Sequence, residues 1–275
     1  MGRMDRETAT NLELWNEWTG IHERSEFYDL EGFRAEGEVR IRPFEQAEVG
    51  DVAGKSLLHL QCHFGIDTLS WARLGATVTG ADFSPEAVAL ARRLADELGI
   101  DARFVESSIE ELPSNLEGQF DVVYTSRGVT CWLRDLHRWA EVAAHFVKPG
   151  GFFYIHEAHP TMWAFDDERD DTELVVKYPY FERDEPLFFP VVGSYADPTA
   201  KVQASRSYNW IHSLGEVVTV LVEAGLRIEW LKEHPFLDWP LPFLVEAPDR
   251  TWVLPPERGD AEIPLSFSLK ATKPA

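Results

Sequence analysis

Between residues 55 and 157 the chain alternates short apolar runs with capped amphipathic segments, and that alternation dictates a parallel sheet. The runs KSLLHLQC (55–62), ATVTGAD (76–82), ARFVESS (102–108), FDVVYTS (120–126) and GFFYIHE (151–157) are too short for helices and read as strands. IDTLSWARLG (66–75) spaces Ile66, Leu69, Trp71 and Leu74 as one helical face and stops at Gly75. SPEAVALARRLADELG (84–99) opens with Ser84 as cap and Pro85 as first helical residue, and closes at Gly99. LRDLHRWAEVAAHFV (133–147) is a third helix before the turn KPGG. Strands that alternate with helices join in parallel through right-handed crossovers. With LRIEWLKEH (226–234) and SFSLKATK (266–273) as further strands, the expected fold class is α/β: a doubly wound, mostly parallel seven-stranded sheet.

The rhythm breaks over 158–210, which is rich in Pro and Tyr and holds no long helical pattern. It reads as an insertion after the fifth strand, carrying a few extra strands on the substrate side. Residues 1–50 read as a helical, aromatic cap, with Leu12, Leu14, Trp15 and Trp18 close to one helical face. The core is then 51–157 and 211–275. Ser213 and Glu216 form an S-x-x-E capping box before a helix that ends at Gly225.

Composition narrows the function. A chain of 275 residues with 44% hydrophobic residues builds one large core without staples. Two cysteines, Cys62 and Cys131, are too few for a disulfide scaffold and fit a reducing, cytoplasmic setting. The formal charge of −21 repels phosphate backbones and anionic lipid, so neither nucleic acid nor a membrane surface is an expected partner. A small-molecule substrate is.

In doubly wound sheets, ligands bind beyond the carboxyl ends of the strands, where the strand order reverses. The first strand ends in HLQCHFG (59–65), and the second ends in Asp82. A carboxylate at that place can accept hydrogen bonds from both hydroxyls of a nucleoside ribose; the plainer alternative is a capping or solvated aspartate. Gly54-Lys55-Ser56 precedes a strand, and its upstream glycine, Gly50, is one residue too close for a phosphate-binding loop. The first turn also lacks the G-x-G-x-x-G of a nicotinamide dinucleotide site.

Taken together, 54–160 and 208–234 resemble the class I S-adenosylmethionine-dependent methyltransferases, in a variant of the small-molecule subgroup. The family's first motif, acidic-x-Gly-x-Gly-x-Gly, falls on His59-Leu60-Gln61-Cys62-His63-Phe64-Gly65, with only its last glycine kept. IDTLSWARLGATVTGADFSPEAVALAR matches the following helix and second motif. FVESSIEELP stands at the third, with Ser108 where an aspartate commonly faces the adenine. FDVVYTSRGVTCWLRDLHRWAEVAAHFVKPGGFFYIHE matches the fourth and fifth strands.

The resemblance implies methyl transfer from S-adenosyl-L-methionine to a small-molecule acceptor, at oxygen or nitrogen. It implies cofactor contacts from Gln61, Cys62, His63, Gly65, Asp82, Phe83, Ser84, Ser108, Ile109, Thr125 and Ser126. Glycines let a ligand approach the backbone closely. Gln61 and His63 therefore narrow the site, orient the amino-acid part of the cofactor, or abolish binding. In the last case the chain is a non-catalytic nucleoside-binding protein; a nicotinamide-dependent oxidoreductase is the weaker enzyme alternative.

A hydroxyl acceptor needs a base. His63, Glu157 and His159 are the leading candidates, with His22, His156 and His212 behind them; each has a packing role as its alternative. Trp15, Trp18, Tyr28, Arg127, Tyr208, Trp210 and His212 are the expected substrate-side residues, Arg127 by pairing with an acidic group or only with surface carboxylates. His156-Glu157-Ala158-His159 ends a strand and is one residue short of the H-E-x-x-H zinc helix, so no metal is expected.

Overall fold

The computed structural model describes residues 4–35, 37–259 and 262–275. Three helices, α1 (Arg6–His22), α2 (Leu30–Arg34) and α3 (Pro43–Val49), precede the sheet. The alternating region follows as β1 (Ser56–Leu60), α4 (Ile66–Arg73), β2 (Thr77–Asp82), α5 (Pro85–Leu98), β3 (Ala102–Glu106), α6 (Leu112–Asn115), β4 (Phe120–Ser126), α7 (Leu136–Phe146) and β5 (Val147–Ala158). The chain then forms β6 (Leu187–Pro190), β7 (Arg206–Asn209), α8 (Leu214–Glu223), β8 (Arg227–His234), β9 (Val245–Glu246), β10 (Trp252–Val253) and β11 (Ser266–Thr272).

Seven strands make one sheet in the order β3-β2-β1-β4-β5-β11-β8. β11 runs antiparallel to both neighbours, β5 and β8. The order reverses between β1 and β4, which pair in parallel. The loop after β1, residues 61–65, and the loop after β4 therefore open side by side. Alternate residues of β1 divide between two cores. Leu58 and Leu60 pack with Trp139, Phe146 and Val220 on the α7–α8 face. Leu57 packs with Trp71 and Tyr124 on the other. β6 and β7 pair as a separate antiparallel ribbon within the insertion.

Local chemistry explains the helix ends. Ser84 Oγ accepts the Ala87 N–H, and Pro85 stands at the first helical position. Ser213 Oγ accepts the Glu216 N–H, while the Glu216 carboxylate turns to the His212 ring instead of completing the box. Two boundaries differ from the sequence reading. α7 starts at Leu136, because Asp135 caps it through the Arg138 N–H. β5 starts at Val147 and absorbs KPGG as an irregular entry, with a register shift opposite Phe120. The buried face of α1 is also more polar than expected. It comprises Asn11, Leu14, Trp18, Thr19 and His22, while Leu12 is only half-buried.

Candidate functional site

The 61–65 loop keeps a glycine-like backbone where its glycines are gone. Gln61 has φ 55°, His63 φ 50° and Gly65 φ 81°. Left-handed backbone costs an ordinary side chain and is tolerated best by Gly, Asn, Asp and His. Gly65 itself is needed for space as well, since an added Cβ would lie 2.7 Å from Phe104 Cε1. The Gln61 amide turns to Val129 O at 3.3 Å, and the His63 ring turns toward α1. Cys62 is buried, its Sγ 2.8 Å from where a Cβ on Gly80 would sit.

Asp82 ends β2 beside this loop and is buried. Its carboxylate accepts the His63 N–H at 2.8 Å and the Ser84 N–H at 2.9 Å. Burial lifts its pKa to about 6, against the lowering pull of backbone N–H groups of Ser84, His63 and Phe83. Ser84 Oγ also donates to Asn16 Oδ1 of α1 at 2.7 Å. At the third-motif position, Ser108 Oγ accepts the Glu111 N–H, and Ile109 is buried in the α7-side core.

The end of β4 is a buried polar layer. Thr125 is fully buried, and its Oγ1 has no hydrogen-bond partner. Ser126 Oγ donates to Asp67 Oδ2 at 3.1 Å and lies 3.3 Å from His59 Nε2. Arg127, at φ 47°, pairs with Glu45 of α3, with Asp67 of α4 at 2.8 Å and with Asp238 at 3.3 Å. Burial raises the Glu45 pKa to about 7 even beside that guanidinium.

The structure redirects several expected catalytic and substrate residues. Arg127, read as a partner for an acidic substrate group, already serves three carboxylates. Glu157, read as a base, is 1% exposed, and its oxygens accept the N–H groups of Gly128, Val129, Thr130 and Ala158 at 2.6–3.0 Å. Its carboxylate is the anchor of the loop after β4. His159 accepts the Thr161 N–H at Nδ1 and meets Glu233 of β8 at 3.1 Å, so it belongs to the far edge of the sheet. His212 faces Leu133 O and Glu216 with its two ring nitrogens and braces the start of α8. Trp210 is buried, its backbone N–H donating to Cys131 O; Tyr208 is held through its backbone by Asn11 and packs its ring near Phe188.

The aromatic cap does reach the loop. The Trp15 ring lies edge-on to His63 at 5.1 Å and to Trp132 at 5.3 Å. Trp18 neighbours Trp132 and Tyr195, and its indole N–H donates to Gly193 O. Tyr28 packs on Phe64 at 4.8 Å and hydrogen-bonds Tyr195 through its hydroxyl. His22, Ser194, Tyr195, Asn16 and Phe104 complete the surroundings. Of these, only His22 stood out in the sequence. The left-handed backbone at 61 and 63 could have been anticipated from the spacing of the family's glycines.

A family model described as "Methyltransferase domain" matches residues 57–151. The ubiquinone biosynthesis O-methyltransferase of Escherichia fergusonii is 36% identical over 145 residues, which are 50% of this chain and 60% of that protein. Over just over a third of its length the chain is thus similar to a methyltransferase domain. The matched stretch spans 60% of that relative's length. The fold agrees over a longer span. An S-adenosylmethionine-dependent methyltransferase from Mesorhizobium loti aligns with a TM-score of 0.57 at 20% identity, covering 83% of this chain and 95% of that one. The glycopeptide N-methyltransferase MtfA, in complex with S-adenosylmethionine, aligns with a TM-score of 0.54 at 18% identity, covering 84% and 92%.

The candidate site offers groups of the kinds that S-adenosylmethionine would need. Gln61 Oε1 and Thr125 Oγ1 are buried without hydrogen-bond partners, as acceptors for an ammonium group would be. The N-terminus of α4 has no side-chain cap, leaving electropositive N–H groups for a carboxylate. Asp82 sits where the ribose-binding carboxylate is expected. Burial keeps His63 and His22 neutral, so neither repels a sulfonium cation.

Proposed function

We propose that this chain transfers a methyl group from S-adenosylmethionine to a small-molecule acceptor, at oxygen or nitrogen. The observation that carries the reading is the buried Asp82 carboxylate tied to a 61–65 loop whose backbone turns left-handed at alternate residues. The cofactor's sulfonium supplies the transferable methyl group. The protein binds, orients and excludes water, and near-attack geometry is its main contribution. Asp82 holds the ribose, Gln61 and Thr125 face the amino-acid tail, and Ser108 and Ile109 flank the base. Trp15, Trp18, Trp132 and Tyr195 form the acceptor-side wall. Three carboxylates already surround the Arg127 guanidinium, so it is not free to pair with an acidic acceptor. Ubiquinone O-methyltransferase and MtfA, by their names, act at oxygen and nitrogen respectively.

Titration calorimetry with S-adenosylmethionine and S-adenosylhomocysteine tests the reading. Charge-assisted hydrogen bonds are worth about 1.5–3 kcal/mol each, so Asp82→Ala weakens binding roughly ten- to hundredfold. No binding by the unaltered chain at millimolar cofactor overturns the proposal. Binding without labelled methyl transfer across a broad acceptor panel favours the second reading, a non-catalytic cofactor-binding protein. The dense ring packing of Trp15 and Trp132 over the loop is the observation on that side.

A further inference from the structure

Three chain segments are joined in one row through His63, His22 and Ser194. His63 belongs to the cofactor loop, His22 ends α1, and Ser194 lies in the inserted segment. His63 Nε2 is 2.8 Å from His22 Nδ1, and His22 Nε2 is 2.6 Å from Ser194 Oγ. Burial lowers the pKa of both rings, so each is neutral and carries one ring hydrogen. The hydrogens along this row run either from His63 toward Ser194 or from Ser194 toward His63.

The Ser194 hydroxyl decides the direction. Its oxygen already accepts the Ala196 N–H. Among the described residues, the one acceptor in reach of its hydrogen is His22 Nε2. A row running toward Ser194 would leave a buried hydroxyl hydrogen without an acceptor, an arrangement folded proteins avoid. Ser194 therefore donates to His22, and His22 donates through Nδ1–H to His63 Nε2. That leaves the His63 hydrogen on Nδ1, which has no partner among the described residues. In this state His63 offers a donor and no free basic nitrogen.

Several of this loop's own donors are already spent. The Cys62 N–H goes to Ala81 O, the His63 N–H to Asp82 and the Gly65 N–H to Cys62 O. The one guanidinium at the end of β4 is engaged by three carboxylates. We propose that His63 Nδ1–H donates to the carboxylate of the cofactor's amino-acid tail, with its tautomer set by His22 and Ser194. The side chain at a lost glycine thus adds a contact to those open at the N-terminus of α4. His22 and Ser194 act as positioning residues. Because they belong to the cap and the insertion, closure of the cap and grip on the tail are coupled. This inference rests on the methyltransferase reading above.

The test compares S-adenosylhomocysteine with 5′-methylthioadenosine, which keeps the nucleoside and sulfur but lacks the amino-acid tail. Calorimetry on His63→Phe should show S-adenosylhomocysteine weakened about tenfold and 5′-methylthioadenosine changed less than about twofold. His22→Phe, which keeps a ring against Trp15, should weaken S-adenosylhomocysteine by a smaller factor of about three to five, again sparing the tailless ligand. Asp82→Ala should weaken both ligands alike. Nitrogen-15 NMR of the histidine rings in the unaltered protein reads the tautomers without any variant, and both His22 and His63 should be protonated at Nδ1. An Nε2-protonated His63, or equal loss of both ligands in His63→Phe, overturns the inference while leaving the methyltransferase reading in place. Failure of the unaltered chain to bind either ligand overturns both.

Discussion

Helices α1 and α5 lie against each other near the 61–65 loop, yet they are held by different physics. The buried face of α5 is Ala87, Val88, Leu90, Ala91, Leu94 and Ala95, packed with Leu69, Phe64 and Phe104. Non-directional apolar burial holds it, in proportion to area. The buried face of α1 has two large apolar residues, Leu14 and Trp18, among Asn11, Thr19 and His22. Discrete bonds to the insertion tie it down: Asn11 to both backbone groups of Tyr208, Glu17 to the N–H groups of Gln203 and Ala204, Trp18 to Gly193 O, and His22 to Ser194. Area cannot be exchanged piecemeal, but polar bonds can be traded for a ligand's or for water's. Helix α5 is therefore built as a fixed wall, and the cap as a removable one.

The largest effect that sharpens this contrast is in the wall. Leu94 is fully buried, and Leu94→Ala should cost about 3 kcal/mol of global stability, read by urea unfolding at pH 7.5. The next effect is a pH effect in the cap. Burial lowers the His22 pKa to about 3. A histidine whose folded pKa is depressed stabilises the fold above its unfolded pKa of about 6.5 and loses that contribution as pH falls from there toward 3. Between pH 7.5 and 5.5, the unaltered chain should lose about 1.4 kcal/mol more than His22→Phe does. Equal losses would show that His22 is solvated and that the cap is open in solution.

The wall was legible in the sequence because its determinants are local. Ser84-Pro85 at a helix start, Gly75 and Gly99 at helix ends, and apolar runs of strand length each act within one element. The placement of Asp82 at the end of β2 followed from that spacing alone. The roles of the cap and of the β4 loop were not legible, because their partners are far apart in sequence. Arg127 meets Glu45, Asp67 and Asp238, and nothing near Arg127 announces that a helix before the sheet and a loop after β8 will neutralise it. Glu157 reads as a rim carboxylate, but the strand directs it inward onto three successive N–H groups of the loop after β4. β11 shows its strand pattern plainly, yet its place between β5 and β8 depends on pairings across the whole domain. Gln61 and His63 marked the loop as unusual; which way their side chains leave it was set by Val129 and by α1.

The smallest effect is the most specific to the cap. Asn11 Nδ2 donates to Tyr208 O at 2.8 Å, and Asn11 Oδ1 accepts the Tyr208 N–H at 2.9 Å. One amide thereby completes the β7 backbone as a neighbouring strand would. Asn11→Ala removes both bonds and strands a backbone donor and acceptor near the cap, at a cost of about 1 kcal/mol. If α1 and the insertion are a removable wall, that cost falls on cap opening and not on global unfolding. Hydrogen exchange should then speed up about fivefold in α1 and β7, since 1 kcal/mol is about that factor, while α5 keeps its protection. Equal acceleration in α1 and α5 would mean that the two helices open as one unit, and the distinction between a fixed and a removable wall would fail.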